Sequence, residues 1–149
     1  MKITGSAISL NVADERASAD FLKTHFAFDE AMAADGFVSL RRSDAGFNVV
    51  FLRLGLSTFK PMQLRGHRVD GLLLVFVVDD IDTEYARLAE QDLSFVTPIE
   101  TEPWGERYFQ VADPNGGQCA GPPRWSLMFI ADQNTRATAN DIATTPTKM

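Results

Sequence analysis

Two stretches of the sequence share the pattern that decides the fold: residues 7–14, AISLNVAD, and residues 73–80, LLVFVVDD. In the first stretch an apolar residue stands at every second position, which is typical of a half-buried strand. Each stretch ends at an aspartate, Asp14 or Asp80, whose carboxylate can accept the free amide hydrogens at the start of a helix. The repeat therefore predicts two strand–helix units of the same design.

Each predicted helix is followed by short strand candidates that turn residues separate. The candidates are 28–33, 36–41 and 47–53 in the first half, and 94–99, 107–112 and a weak segment after residue 116 in the second. This order predicts an α+β fold of two βαβββ modules, at 5–53 and 71–124, joined by an exposed connector at 54–70. We expect one domain over residues 1–130 and a loose tail at 131–149, which is rich in Thr and Ala.

The closing strand of the second module is the weakest part of this prediction. Residues 117–123, GQCAGPP, contain glycines and paired prolines, which weaken a strand. Apolar character returns only at residues 125–130, WSLMFI. Either the closing strand is a short edge strand, or the apolar piece pairs elsewhere, for instance in a second subunit.

The composition narrows the class of protein. A chain of 149 residues with 45% hydrophobic residues can bury a core. The single cysteine, Cys119, excludes an internal disulfide framework and a multi-cysteine zinc site. The longest apolar run, residues 72–78, is far shorter than the roughly 20 residues that a membrane helix needs. We therefore expect a cytoplasmic protein that does not act at a membrane.

The charges are unevenly distributed along the chain. Residues 70–113 contain eleven acidic residues and only two basic ones, whereas residues 1–69 contain seven acidic and nine basic residues. An acidic surface repels phosphate backbones, so nucleic acid is not expected as a partner. The same surface would attract cationic small molecules, although acidic side chains also simply keep a small protein in solution.

Two short motifs in the second half carry a family resemblance. Residues 103–109 read PWGERYF, and residues 113–116 read DPNG. Together with the doubled strand–helix–three-strand unit, they make residues 5–118 resemble the vicinal oxygen chelate superfamily, and most of all its bleomycin-resistance-like members. The resemblance implies two curled mixed sheets around a U-shaped cleft, the glyoxalase/bleomycin resistance fold, in a protein that forms a homodimer.

The same resemblance implies where a metal would be held, and the residues there do not suit one. The resemblance implies that a His on the first strand of each half and a Glu on the last strand would bind the metal, as in enzymes of the superfamily. The corresponding positions here are Ala7, Leu73 and Ala120, none of which can bind a metal. The only histidines, His25 and His67, lack the paired spacing of a metal site. We therefore predict no metal, no cofactor and no catalytic residue.

Strand alternation predicts which side chains line the cleft. Residues that do not face a helix should line it, together with the segment around the Pro-Trp-Gly motif. The expected ligand-binding residues are Ala7, Ser9, Asn11, Phe37, Phe47, Val49, Leu73, Val75, Trp104, Glu106, Arg107 and Phe109. Simple core packing or a dimer interface would equally explain these side chains.

Three functions remain open on the sequence. The first is a protein that sequesters an antibiotic-like, aromatic or cationic small molecule and so confers antibiotic resistance; Glu100, Glu102 and Glu106 are its acidic candidates. The second is a metal-dependent glyoxalase, epimerase or extradiol-dioxygenase-type enzyme with non-standard ligands. The third is a metal-free enzyme that uses a carboxylate as its base.

Overall fold

The computed structural model describes residues 1–114 and 124–133. The chain divides into two compact units, one of residues 1–72 with 113–125, and the other of residues 73–112 with the chain from residue 126 onward. Within the described ranges, no helix has the length and apolar character needed to cross a membrane.

The first unit contains one helix and a four-stranded mixed sheet. Its elements are β1 (Ala7–Val12), α1 (Glu15–Phe26), β2 (Asp29–Ala34), β3 (Phe37–Arg41), β4 (Asn48–Arg53) and a short 3-10 helix (Met62–Leu64). The strand order is β1-β4-β3-β2. Strand β1 pairs with β4 in parallel, and the other neighbours are antiparallel.

The second unit repeats this arrangement. Its elements are β5 (Leu72–Val78), α2 (Ile81–Ala89), β6 (Phe95–Thr101), β7 (Arg107–Ala112) and β8 (Trp125–Ala131). The strand order is β5-β8-β7-β6, which matches the first sheet position for position. The α+β fold with two βαβββ modules is thereby confirmed.

The closing strand lies later in the chain than expected. Strand β8 starts at Trp125, beyond residue 124 where the second module was expected to end, and it is hydrogen-bonded between β5 and β7. The apolar segment is therefore an interior strand of its own sheet, neither a short edge strand nor a piece that needs another subunit. The predicted weak strand at residues 117–123 lies outside the described residues.

Both helices begin as their aspartates predict. The Asp14 carboxylate accepts from the Ala17 amide at 3.0 Å, and the Asp80 carboxylate accepts from the Thr83 amide at 3.1 Å. These bonds satisfy amide hydrogens that a helix leaves without a partner at its first turn. Helix α1 ends at Phe26 and is capped by Ala27, which adopts the left-handed conformation with φ 54°.

The core of the first unit lies between α1 and one face of its sheet. Leu10, Val38, Leu40 and Val49 have no exposed surface, and α1 contacts β1, β3 and β4. Trp125 joins this core, with its ring 5.6 Å from that of Phe51. The first unit therefore takes its largest buried side chain from the far end of the chain.

The core of the second unit is aromatic. The Phe109 ring stacks on Phe129 at 5.1 Å, and Phe129 stacks on Phe76 at 5.9 Å. Helix α2 adds Tyr85, whose ring meets Phe109 and Phe95 edge-on at 5.2 Å each. Such offset and edge-to-face pairs add to the free energy of burial itself.

Candidate functional site

Alternation along the strands gives the second sheet a helix-facing side and an open side. Paired strands place opposite residues on the same face, and Phe109 and Phe129 mark the helix-facing side. We call the other side the open face of the second sheet. Its residues are Leu73, Val75 and Val77 on β5, Ser126, Met128 and Ile130 on β8, Tyr108, Gln110 and Ala112 on β7, and Thr97 and Glu100 on β6.

The β5 side of this open face is aliphatic and in contact with solvent. Leu73, Val75 and Val77 expose 39%, 43% and 65% of their surface, whereas their neighbour Leu74 exposes 2%. An exposed row of aliphatic side chains on one strand is unusual, because burying it would be favourable by about 25 cal/mol per Å². The face is therefore suited to contact with an apolar ligand.

The opposite edge of the same face is acidic. The Tyr108 hydroxyl lies 2.7 Å from a Glu100 oxygen and 2.9 Å from a Glu102 oxygen. A hydroxyl has one proton and can donate it to only one of the two carboxylates. Hydrogen bonding to Glu100 and then to Glu102 raises the pKa of Tyr108 above its ordinary value. Negative charge therefore remains at this edge, about 14 Å from β5 across three strand spacings.

The open face of the first sheet is more polar. By the same pairing it contains Ala7, Ser9 and Asn11 on β1, Asn48, Val50 and Leu52 on β4, Phe37 and Ser39 on β3, and Met32 and Ala34 on β2. The Asn11 side-chain amide donates to the backbone oxygen of His67 at 3.0 Å, and the Asn11 backbone carbonyl accepts from the Val69 backbone amide. Asn11 thus fixes the connector to β1.

Two predicted ligand-binding residues lie on the helix-facing sides. Val49 and Phe109 have no exposed surface, and Val49 stands opposite Ile8 and Leu40 in the core register. The expected alternation was one residue out in β4, whereas Phe109, expected in the site with the Pro-Trp-Gly segment, belongs to the core. Phe47, also predicted, lies just before β4 and is half-buried.

The turn between β6 and β7 holds the Pro-Trp-Gly motif. Gly105 has a positive φ of 95°, and its amide donates to the Glu102 carbonyl, which closes the turn. The Glu106 carbonyl accepts from the Glu102 amide. Trp104 stands at the tip of this turn and exposes 73% of its surface, so its indole is accessible to a partner.

Arg107 has a structural role that the sequence did not indicate. Its guanidinium donates to Asp82 at 2.7 Å and to the Thr101 hydroxyl at 2.9 Å. It joins the first turn of α2 to the β6–β7 hairpin, whereas we expected Arg107 among the ligand-binding residues. Asp113 accepts from the Ser18 hydroxyl at 2.9 Å inside the first unit.

The residues at the family's metal positions do not fit a metal. Ala7 and Leu73 offer only hydrocarbon, and Ala120 lies outside the described residues. Strand β8, which occupies the place of the closing strand, reads WSLMFIA and contains no His, Cys, Asp or Glu. Across residues 1–114 and 124–133, no three such side chains are grouped to hold a metal ion.

Sequence reasoning missed Tyr108 and the β8 residues of the open face. Tyr108 precedes Phe109, and the alternation of β7 would have placed it correctly once Phe109 was assigned to the core. Met128 and Ile130 were missed because the glycine- and proline-rich segment before Trp125 hid the true start of the closing strand.

The architecture defines a class of small α+β proteins built from paired βαβββ units. The sequence model of the Glyoxalase/Bleomycin resistance protein/Dioxygenase superfamily matches residues 6–118. The chain belongs to this superfamily. Among curated proteins, no sequence matches it significantly.

Solved structures with the same fold are distant in sequence. A glyoxalase/bleomycin resistance protein/dioxygenase from Nocardioides is similar with a TM-score of 0.68 and 17% identity, over 88% of this chain and 84% of that one. TioX from Micromonospora sp. ML1 gives 0.64 and 19%, over 87% and 98%. Lactoylglutathione lyase from Agrobacterium tumefaciens gives 0.64 and 14%, over 85% and 91%. These similarities establish the fold alone.

Proposed function

We propose that this chain binds a small aromatic or cationic, antibiotic-like molecule without a metal ion and without catalysing a reaction. The observation that carries the proposal is the exposed aliphatic row on β5, because it includes Leu73, the position at which the superfamily would place a metal ligand. Where a metal enzyme needs an imidazole, this chain offers a hydrocarbon surface to a ligand.

The acidic edge supports a cationic group on the ligand. Glu100 and Glu102 share one tyrosine hydroxyl, so their charge is incompletely satisfied. A molecule about 14 Å long could contact the aliphatic row at one end and the carboxylates at the other. Trp104 adds an exposed ring that can stack on an aromatic ligand or contact a cation.

The proposal is tested by calorimetric titration of the purified protein with bleomycin and with a panel of aromatic antibiotics. We expect heat and a raised melting temperature with at least one of them. The double variant Glu100→Gln/Glu102→Gln should lower the affinity for cationic compounds and leave the affinity for neutral compounds unchanged. The matched control is Glu90→Gln, which removes a similar charge from the exposed end of α2. If none of these compounds gives heat or a thermal shift at high micromolar concentration, the proposal is wrong.

Elemental analysis separates this function from the metal-enzyme alternative. The protein is purified without an affinity tag, and its Zn, Mn, Ni and Fe contents are measured. We expect substoichiometric amounts, because the residues at the family positions have no lone pairs to donate. A stoichiometric metal that survives dialysis would favour a glyoxalase-, epimerase- or dioxygenase-type enzyme.

We also propose that the protein works in the cytoplasm as a homodimer and protects its host by sequestration. Each sheet has two edge strands. Strand β2 is better suited to pairing than β6, because β6 carries Pro98 and two register shifts against one in β2. Light scattering should give about twice the chain mass of 16.5 kDa. Expression in a susceptible bacterium should raise the inhibitory concentration of the compound that binds in vitro.

A further inference from the structure

The first unit contains a small pocket. None of the aliphatic residues of the two open faces lines it. It lies at the end of β1 and is lined by Asn11, Val12, Ala13, Arg68, Val69, Asp113, Arg124 and Trp125. The space that the centre of a water-sized group can occupy is about 10 Å³, and the empty space is about 240 Å³ when the open mouth is counted. A water-sized group fits within the pocket, and a larger molecule would extend into the mouth.

One of the residues that line this pocket, Trp125, has a buried donor without a partner. Trp125 exposes 1% of its surface, and its indole Nε1 has no hydrogen-bond partner. Nε1 is the only polar atom of the side chain and can only donate. Leaving such a donor unsatisfied costs about 1–3 kcal/mol, so native proteins nearly always supply an acceptor from the protein, water or a ligand.

Charged residues also line the pocket. They are Arg68, Arg124 and Asp113. Asp113 already accepts from the Ser18 hydroxyl at 2.9 Å. Arg124 approaches Asp70 only to 3.9 Å, too far for a hydrogen bond, so its donors are not used there.

We infer that this pocket binds a small oxyanion, a carboxylate or a phosphate, with one oxygen accepting from Trp125 Nε1 and the rest held by Arg68 and Arg124. Such an acceptor satisfies the buried N–H and makes charge-assisted bonds with the two arginines. The pocket lies outside the open face of the second sheet, and Trp125 and Arg124 lie beyond the family-matched residues 6–118. The inference therefore stands independently of the proposed function.

The test uses the indole N–H signals of the ¹⁵N-labelled full chain. The sequence has two tryptophans, so two signals are expected, and Trp104→Phe identifies the one that belongs to Trp125. Sodium phosphate and sodium acetate are titrated separately against sodium chloride at matched ionic strength. We expect the Trp125 signal to shift saturably with at least one of the two anions while the signal of exposed Trp104 stays in place.

Variants link the shift to the arginines. Arg68→Gln removes an exposed guanidinium and should lower the affinity for the anion at least about tenfold. An unchanged melting temperature would show that the variant is folded. The control is Arg87→Gln, which removes an exposed arginine paired with Glu84 on α2. A response to phosphate alone or to acetate alone identifies the class of oxyanion. If neither anion moves the Trp125 signal at tens of millimolar, the pocket holds water only and the inference is wrong.

Discussion

The two sheets have the same strand order, but their open faces carry different side chains. The first presents serines and asparagines among its apolar residues, and Asn11 there is used to hold the connector. The second presents an exposed aliphatic row on β5 and an acidic edge on β6 and β7. Duplicated topology therefore fixes where a face lies, while the sequence of each half decides what that face can bind.

The helix-facing sides differ much less. Both are closed by an aspartate-capped helix over buried aliphatic and aromatic residues. Stability is thus shared between the two units, whereas the proposed binding surface belongs to the second alone. This contrast leads to five experiments, which begin with the largest expected effect.

Neighbouring leucines on β5 test the difference between the two sides of one strand. Leu74 exposes 2% of its surface and Leu73 exposes 39%. Leu74→Ala should cost about 2–5 kcal/mol of unfolding free energy because it leaves a cavity, and Leu73→Ala less than about 1 kcal/mol. Urea denaturation measures both. Equal losses would mean that the open face is packed as tightly as the core.

Matched valines test which open face carries the ligand. Val75 lies on the open face of the second sheet and Val50 on that of the first. Val75→Thr replaces a methyl group with a hydroxyl and keeps the shape of the side chain. It should lower the affinity for bleomycin, or for a cationic dye such as crystal violet, about tenfold. Val50→Thr should leave the calorimetric affinity unchanged. The reverse result would move the site to the first sheet.

The two helix caps test whether the helices contribute equally. Asp14→Ala and Asp80→Ala each remove a bond to a first-turn amide and should lower the melting temperature by about 2–4 °C. A much larger loss at Asp14 would show that the longer α1 dominates stability.

The Asp80 cap also predicts a pH dependence. Hydrogen bonds from the Thr83 hydroxyl and amide hold the pKa of Asp80 below its ordinary 3.8. A lowered pKa means that the stabilisation is present above that value and is lost as the pH falls through the folded pKa. In thermal melts, the stability difference between wild type and Asp80→Asn, whose cap is neutral, should therefore begin to shrink below pH 3.8 and vanish below the folded pKa. A difference that stays constant over this range would contradict this origin.

Ion pairs test the smallest difference between the units. A double-mutant cycle with Arg107→Gln and Asp82→Asn should give a coupling of about 0.2–1 kcal/mol that shrinks with added salt. In the first unit, Arg53 donates to Asp35 and lowers its pKa, and it also reaches the buried Glu15 at 3.3 Å. Arg53→Gln should therefore be the more damaging of the two arginine substitutions.

Much of the fold was predictable, because each element has a local cause. Asp14 and Asp80 predict their helices through the first-turn amides, and the alternation of β1, transferred to β5 by the repeat, predicts which residues are buried. The alternation failed for Val49, since both sides of β4 carry apolar residues and periodicity cannot then choose a face. Phe109 was wrongly assigned because the Pro-Trp-Gly motif, and not the alternation of β7, placed it in the site. The closing strand was missed because glycine and proline precede it.

The site was predictable only in part. Leu73 and Val75 were placed on the correct face by alternation, whereas Tyr108 and the role of Arg107 depend on neighbours across strands and on α2. Whether these residues bind a ligand stays a prediction that the titrations above decide.

The sequence by itself determined the doubled α+β plan, the acidic second half and the hydrocarbon at positions Ala7 and Leu73, because these depend on residue type and on spacing along one strand or helix. Only the tertiary structure decided that Trp125 starts an interior strand, that its indole N–H is buried without a partner, and that the residue lines a pocket together with two arginines. It also decided that Glu100 and Glu102 meet at one hydroxyl. Such groupings join residues on different strands and loops, and the separations between them along the chain do not reveal their distances in space.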